Sequence, residues 1–148
     1  MNLDELEKRV RIIEDIEAIK NLHREYVFLL ISHQFKEMVD CFADDAVAAI
    51  AEHAPRKGKK AIEDLLVNVI SKQLGWDVGH FVTQPVINVK GDKAEGHWLM
   101  FLHFPENPNG PPFKWRQTRY DCEYVRVGGK WKFSSVKFTA PWPAPPAS

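Results

Sequence analysis

After Trp76 the apolar residues of this chain change period, so neither an all-helical nor an all-strand fold can accommodate both halves. Upstream, Leu6, Val10, Ile13, Ile16, Ile19, Leu22 and Tyr26 recur at steps of three and four. That spacing predicts an amphipathic helix from about Leu3 to Phe28 with one buried face. Its polar side carries Glu5–Lys8, Glu7–Arg11 and Glu17–Lys20 at helical spacing. A second helix is expected over HQFKEMVDCFADDA, with Phe35, Met38, Val39 and Phe42 on one side and Ala43-Asp44-Asp45 as its end. A third follows the basic loop RKGKK, with Ile62, Leu65, Leu66, Val69 and Ile70 in period and Gly75 as its stop.

Downstream the pattern is that of paired strands. HFVTQPVINVKGDKAEGHWLMFLHF reads as a hairpin turning at Lys90-Gly91-Asp92-Lys93, and WRQTRYDCEYVRV pairs with KWKFSSVKF across Gly128-Gly129. The intervening residues 105–112, PENPNGPP, cannot continue a central strand and are expected to form a loop. Helices first and antiparallel strands after give an α+β fold, with helices packed on one face of a curved sheet. Residues 1–140 are expected to form one domain. Residues 141–148, rich in proline, are expected to be an extended tail laid across the surface.

Composition narrows the function classes. Of 148 residues, 20 are basic and 20 acidic, so the basic excess that a phosphate-tracking surface needs is absent, and a nucleic-acid partner is not expected. The N-terminal twenty residues are too charged for a signal-peptide core, and no window approaches the roughly 18 apolar residues of a membrane span. Two cysteines, Cys41 and Cys122, cannot build a disulfide framework or a four-thiolate zinc site. No other metal-ligand spacing occurs, and RKGKK reads as a solvated loop. A cytoplasmic protein without a metal is the expectation.

Several segments, taken in order, resemble one family. They are the N-terminal helix running into Tyr26, FKEMVDCFADDAV, GKKAIEDLL, the run from Gly79 to Met100, and RYDCEYVRVGGKWKFSSVKF. Together they are similar to SnoaL-like proteins of the nuclear transport factor 2-like superfamily (cystatin-like fold), in particular the scytalone dehydratase and bile-acid 7α-dehydratase branch. The strongest piece is His80 to Gly96, an H-F-V-T-x-P-x-I-x-V-x-G-D-x-A-x-G pattern. The resemblance implies a cone in which a curved, mostly antiparallel mixed sheet wraps around N-terminal helices and encloses an apolar pocket. It also implies cofactor-free dehydration, isomerisation or related chemistry on a hydrophobic cyclic or aromatic molecule.

Carried over residue by residue, the resemblance makes His80 the general base or acid and Tyr26 the donor to a substrate oxygen. Imidazole suits the first task because its ordinary pKa of about 6.5 lets it take and return a proton near neutrality. A phenol suits the second because its hydrogen bond strengthens as negative charge develops on oxygen. Trp76, Trp98, Met100, Leu102, Ile31 and Tyr120 are the candidate substrate-binding residues. The sequence departs from the dehydratase pattern at two positions: the family carboxylate that charges the histidine falls on Ile31, and a second family aspartate falls near Leu102, with no carboxylate in GHWLMFLHF. Either the base works without its carboxylate, or another group substitutes, or the pocket only binds.

The strand His97–Phe104 is apolar on both faces. Gly96, Trp98, Met100, Leu102 and Phe104 form one set, which the resemblance turns inward, while His97, Leu99, Phe101 and His103 form the other. A single cone covers only one face, so a homo-oligomer, dimer or trimer, is expected on the other. The functional expectation is therefore a dehydratase-like lyase or isomerase. Its alternative is a non-catalytic small-molecule-binding protein that keeps the pocket.

Overall fold

The computed structural model describes residues 1–105 and 114–148; the loop expected at 105–112 lies, apart from Pro105, outside the described residues. Helix α1 runs from Leu3 to Ile31, opened by Asn2, whose side chain accepts the backbone N–H of Glu5 at 2.9 Å. It stops where His33 adopts a left-handed φ of 57° and the N–H of Gln34 reaches back to the Leu29 carbonyl. A short α2 (Phe35–Met38) and one 3₁₀ turn (Val39–Cys41) lead into strand β1 (Phe42–Ile50). Strand β2 (Arg56–Lys57) precedes α3 (Lys59–Asp64), which continues through a π-type turn, Leu65–Ile70, into α4 (Ser71–Gln73). Strands β3 (Gly79–Lys90), β4 (Lys93–Phe104), β5 (Lys114–Val127) and β6 (Lys130–Thr139) complete the chain.

The six strands form one sheet in the order β2-β1-β6-β5-β4-β3, with β1 parallel to β6 and every other pair antiparallel. Helix α1 touches both β6 and the far edge strand β3, so the sheet curls around it. The mixed α+β fold and both hairpins agree with the sequence reading. Two expectations fail. The second helix does not run to Asp45; the chain is already extended at Phe42, because Ala46 and Ala48 alternate inward between two sheet neighbours and this burial overrides alanine's helical preference. The apolar residues of α1 do not share one buried face either, since Leu6, Val10 and Ile13 are exposed while Ile19, Tyr26 and Leu30 are buried.

Strand β3 changes phase midway. His80 and Val82 pair with Leu102 and Met100, whereas beyond the bulge Ile87 and Val89 pair with Gly96 and Ala94. Between Thr83 and Val86 the strand holds two residues, Gln84 and Pro85, against only Trp98 on β4. The extra residue is accommodated by a left-handed Gln84 (φ 53°), and proline falls where no ladder bond is required. Even-numbered residues point inward before the bulge and odd-numbered ones after it. Of the set expected to face inward on β4, Gly96, Trp98 and Met100 are buried and Leu102 and Phe104 half-buried; Ala94 extends the buried row toward the turn.

Candidate active site

The interior of the curl holds an apolar cavity of about 190 Å³. Tyr26 and Leu30 of α1 form one wall, Leu66, Ile70 and Leu74 another, and Met100, Leu102, Tyr120 and Phe138 the sheet side, with His80 entering from β3. Glu52, His53 and Gln73 complete the lining, the last two joined Nε2 to Oε1 at 3.1 Å. A larger furrow of about 390 Å³ lies among Asp45, Lys90, Lys93, Glu95 and Glu123; its charged lining suits water and not an apolar ligand.

His80 reaches the cavity because its cross-strand partner Leu102 belongs to the inward set of β4. Burial pushes its pKa down to about 4, below the free value on which the sequence reading rested; His103 and His33 push the same way. Its Nδ1 is enclosed without a well-formed hydrogen bond, although the Val78 carbonyl pulls toward the charged form. The imidazole is therefore neutral through the physiological range. No carboxylate offsets the effect from α1, because Ile31 is 38% exposed at the end of the helix and lies outside the cavity lining.

Tyr26 and Tyr120 face each other edge-on, their rings 6.4 Å apart. Burial raises both phenols well above their ordinary value, so each remains an O–H donor at any working pH. Among the described residues neither hydroxyl has a hydrogen-bond partner, which leaves two donors for whatever occupies the space.

Of the residues singled out from sequence, Tyr26, His80, Met100, Leu102 and Tyr120 line this one cavity. Trp76 does not: it is 85% exposed and stacks on His33 at 3.7 Å, because the helical segment ends before it and leaves it on the outer loop. Trp98 is buried behind the cavity wall, where its Nε1–H donates to the Tyr124 hydroxyl at 3.0 Å.

Sequence reasoning missed His23, which is wholly buried behind Tyr120 and Trp98 at ring distances of 4.7 and 4.6 Å. The Tyr124 hydroxyl accepts from Trp98 and lies 3.3 Å from His23 Nδ1, while His23 Nε2 is enclosed with no partner among the described residues. Burial lowers its pKa to about 3. The signal was present: His23 shares a helix face with Ile19, Tyr26 and Leu30 at steps of four, three and four. His53 and Glu52 had no such signal, for they sit in the turn after a strand that was read as the end of a helix. That turn is fixed by a left-handed Ala51 (φ 50°) and by the His53 N–H bonded to the Ile50 carbonyl.

The family model for the SnoaL-like domain matches residues 11–137. An NTF2-like protein with a cystatin-like fold from Novosphingobium aromaticivorans superposes with a TM-score of 0.83 at 23% identity, covering 97% of this chain and 92% of that one. The hexachlorocyclohexane dehydrochlorinase LinA-type3 of Novosphingobium barchaimii gives 0.76 at 23% identity, with 95% of each chain covered. A Novosphingobium aromaticivorans protein provisionally named scytalone dehydratase gives 0.73 at 17% identity, covering 92% and 93%. No curated protein matches the sequence significantly. With its helix-wrapped six-stranded sheet and a family match over most of its length, the chain belongs to the SnoaL-like domain family.

Proposed function

We propose that this protein is a cofactor-free lyase or isomerase of the dehydratase type, acting on a small, neutral cyclic molecule. The observation that carries the reading is the meeting of His80, Tyr26 and Tyr120 in one apolar cavity. An apolar cavity of about 150 Å³ takes a benzene, so the 190 Å³ here suits one substituted ring. Among the described residues no lysine or arginine lines the space and Glu52 is its only acid, which favours an uncharged ligand over a carboxylate or phosphate. In the reaction, neutral His80 takes a proton from a ring carbon, and the C–H electron pair becomes the new double bond. A leaving group departs from the adjacent carbon with its own pair, or the proton returns elsewhere; the phenols hydrogen-bond the oxygen that gains charge. That the dehydrochlorinase LinA-type3 has a similar fold agrees with elimination chemistry in such a cavity.

One observation favours a second reading, that of a binding protein. By the family resemblance the carboxylate that would support the base falls on Ile31, which lies outside the cavity lining, and the unsupported imidazole is weakly basic. A single experiment separates the two. Neutral cyclic ketones, alcohols and phenols are screened for ligand-induced stabilisation, and the hits are followed for conversion by wild type and His80→Ala. Conversion that collapses in the variant supports the enzyme; binding without conversion in both supports the carrier.

The same proposal includes self-association through the outer face of the sheet, where Phe81 stacks on Phe101 at 5.3 Å and Trp115 meets Phe81 edge-on. No helix is long and apolar enough to cross a membrane. A cytoplasmic setting fits the two buried free cysteines, Cys41 and Cys122.

A further inference from the structure

The apolar residues of α1 wind around the helix. From Val10 through Ile13, Ile16 and Ile19 to Leu22 they advance by three, and each such step falls about 60° short of a full turn. Between Leu6 and Leu22 the stripe thus passes about half way round the axis. Its lower part, with Ile19, His23 and Tyr26, is buried against the sheet, and Asp15 is tied there by Arg126 and Trp131. Its upper part, Leu3, Leu6, Val10 and Ile13, lies about 160° away from that face and is 44–82% exposed. Nothing in the described part of its own fold covers these four residues.

Their spacing is three, four, three, the a/d pattern of a two-helix seam. The charges beside it select the partner. With Leu3 and Val10 at the a positions, Glu7 and Glu14 flank one side and Arg9 the other. A parallel, in-register copy sets Arg9 of each helix against Glu14 of its mate, twice by symmetry; an antiparallel copy sets the acidic flank against itself. The helix needs no nucleation on association, because it is continuous with the segment anchored at Asp15.

We propose that a second copy of this chain docks along Leu3, Leu6, Val10 and Ile13 to form a short parallel two-helix seam, separate from the aromatic face of the sheet. The seam spans less than two heptads, so the association it drives is moderate and concentration-dependent.

Full-length protein is examined by sedimentation equilibrium between about 1 and 100 μM, a range that brackets moderate affinity. Wild type is expected to self-associate, and Val10→Glu to weaken this at least about tenfold, since two buried like charges then face each other. Because Val10 is exposed, the thermal transition and circular dichroism of the variant monomer should be unchanged. Phe101→Asp serves as the control for the sheet face. Leu6→Cys tests direction: only a parallel pair brings this position against itself, and mild oxidation should give a covalent dimer while buried Cys41 and Cys122 stay unreacted. A monomeric wild type, unchanged association in Val10→Glu, or no covalent dimer from Leu6→Cys overturns the proposal.

Discussion

Arg126 grips Asp15 through two nitrogen–oxygen contacts of 2.7 and 2.9 Å, joining residues 111 positions apart and pinning the middle of α1 to the turn end of the last hairpin. Trp131 adds its indole N–H to the same carboxylate at 3.0 Å, and Arg126 also reaches Asp92 on the other hairpin. The Arg126 guanidinium, chiefly by hydrogen bonding, holds the Asp15 carboxyl below the usual range despite its burial. Asp15→Asn removes the charge from a buried partner set and should cost about 2–3 kcal/mol. At this chain length that lowers Tm by about 5–10 °C, which differential scanning calorimetry will read.

Acid should unfold the protein early. His23 and His80 are held neutral in the fold, at about 3 and about 4, whereas the unfolded chain protonates both near 6.5. Below that value the unfolded state binds more protons, so stability falls as pH drops from about 6.5 toward 4. At pH 5 each ring should cost on the order of 1–2 kcal/mol. Urea midpoints at pH 7.5 and 5 measure the slope, and His23→Phe should flatten it by roughly half. A midpoint unchanged between those pH values would contradict the burial described for both rings.

If turnover is found, His80→Ala should lower it by about 10²–10⁴-fold and Tyr26→Phe by about 10–10³-fold. The rate should be level between about pH 6 and 8, because His80 is already neutral there. An acid limb centred near 6.5 in kcat/KM would mean that the imidazole is not desolvated in the working enzyme.

Gly79 is needed for space. A Cβ built on it would lie 1.9 Å from Nε2 of His103, whose ring crosses the glycine and packs on Trp115 at 5.3 Å. Gly79→Ala must push that ring aside, and a loss of about 1–2 kcal/mol is expected by chemical denaturation. Combined with His103→Ala, which empties the position, Gly79→Ala should add little further loss.

The hairpins are legible because Gly91-Asp92 and Gly128-Gly129 punctuate strongly alternating runs; alternation divides β4 into two sets, and the family resemblance selects the inward one. Strand β1 is not legible, since Ala46, Ala48 and Ala49 carry no strand signal until β6 lies beside them. For the site, His80 and Tyr26 follow from the family pattern, Met100 and Leu102 from the inward set of β4, and Tyr120 from its aromatic ring. Trp76 lies outside the cavity because an aromatic ring type alone does not say which side of a loop it takes. The basicity of His80 was misjudged because desolvation is a property of the packed walls around it, which no local spacing encodes.

The bulge in β3 makes one strand behave as two independent registers. Before Gln84 the strand presents His80 to the cavity, and after it Ile87 and Val89 pack against the core. Substitutions at His80 can therefore alter what the cavity accepts without disturbing the side chains that hold the hairpin in place. Deleting one of the two bulge residues would leave one residue opposite Trp98, so every side chain would keep its present face while the local bend of the strand was lost. In this fold, ligand preference and structural integrity are written on the same strand but in opposite parity.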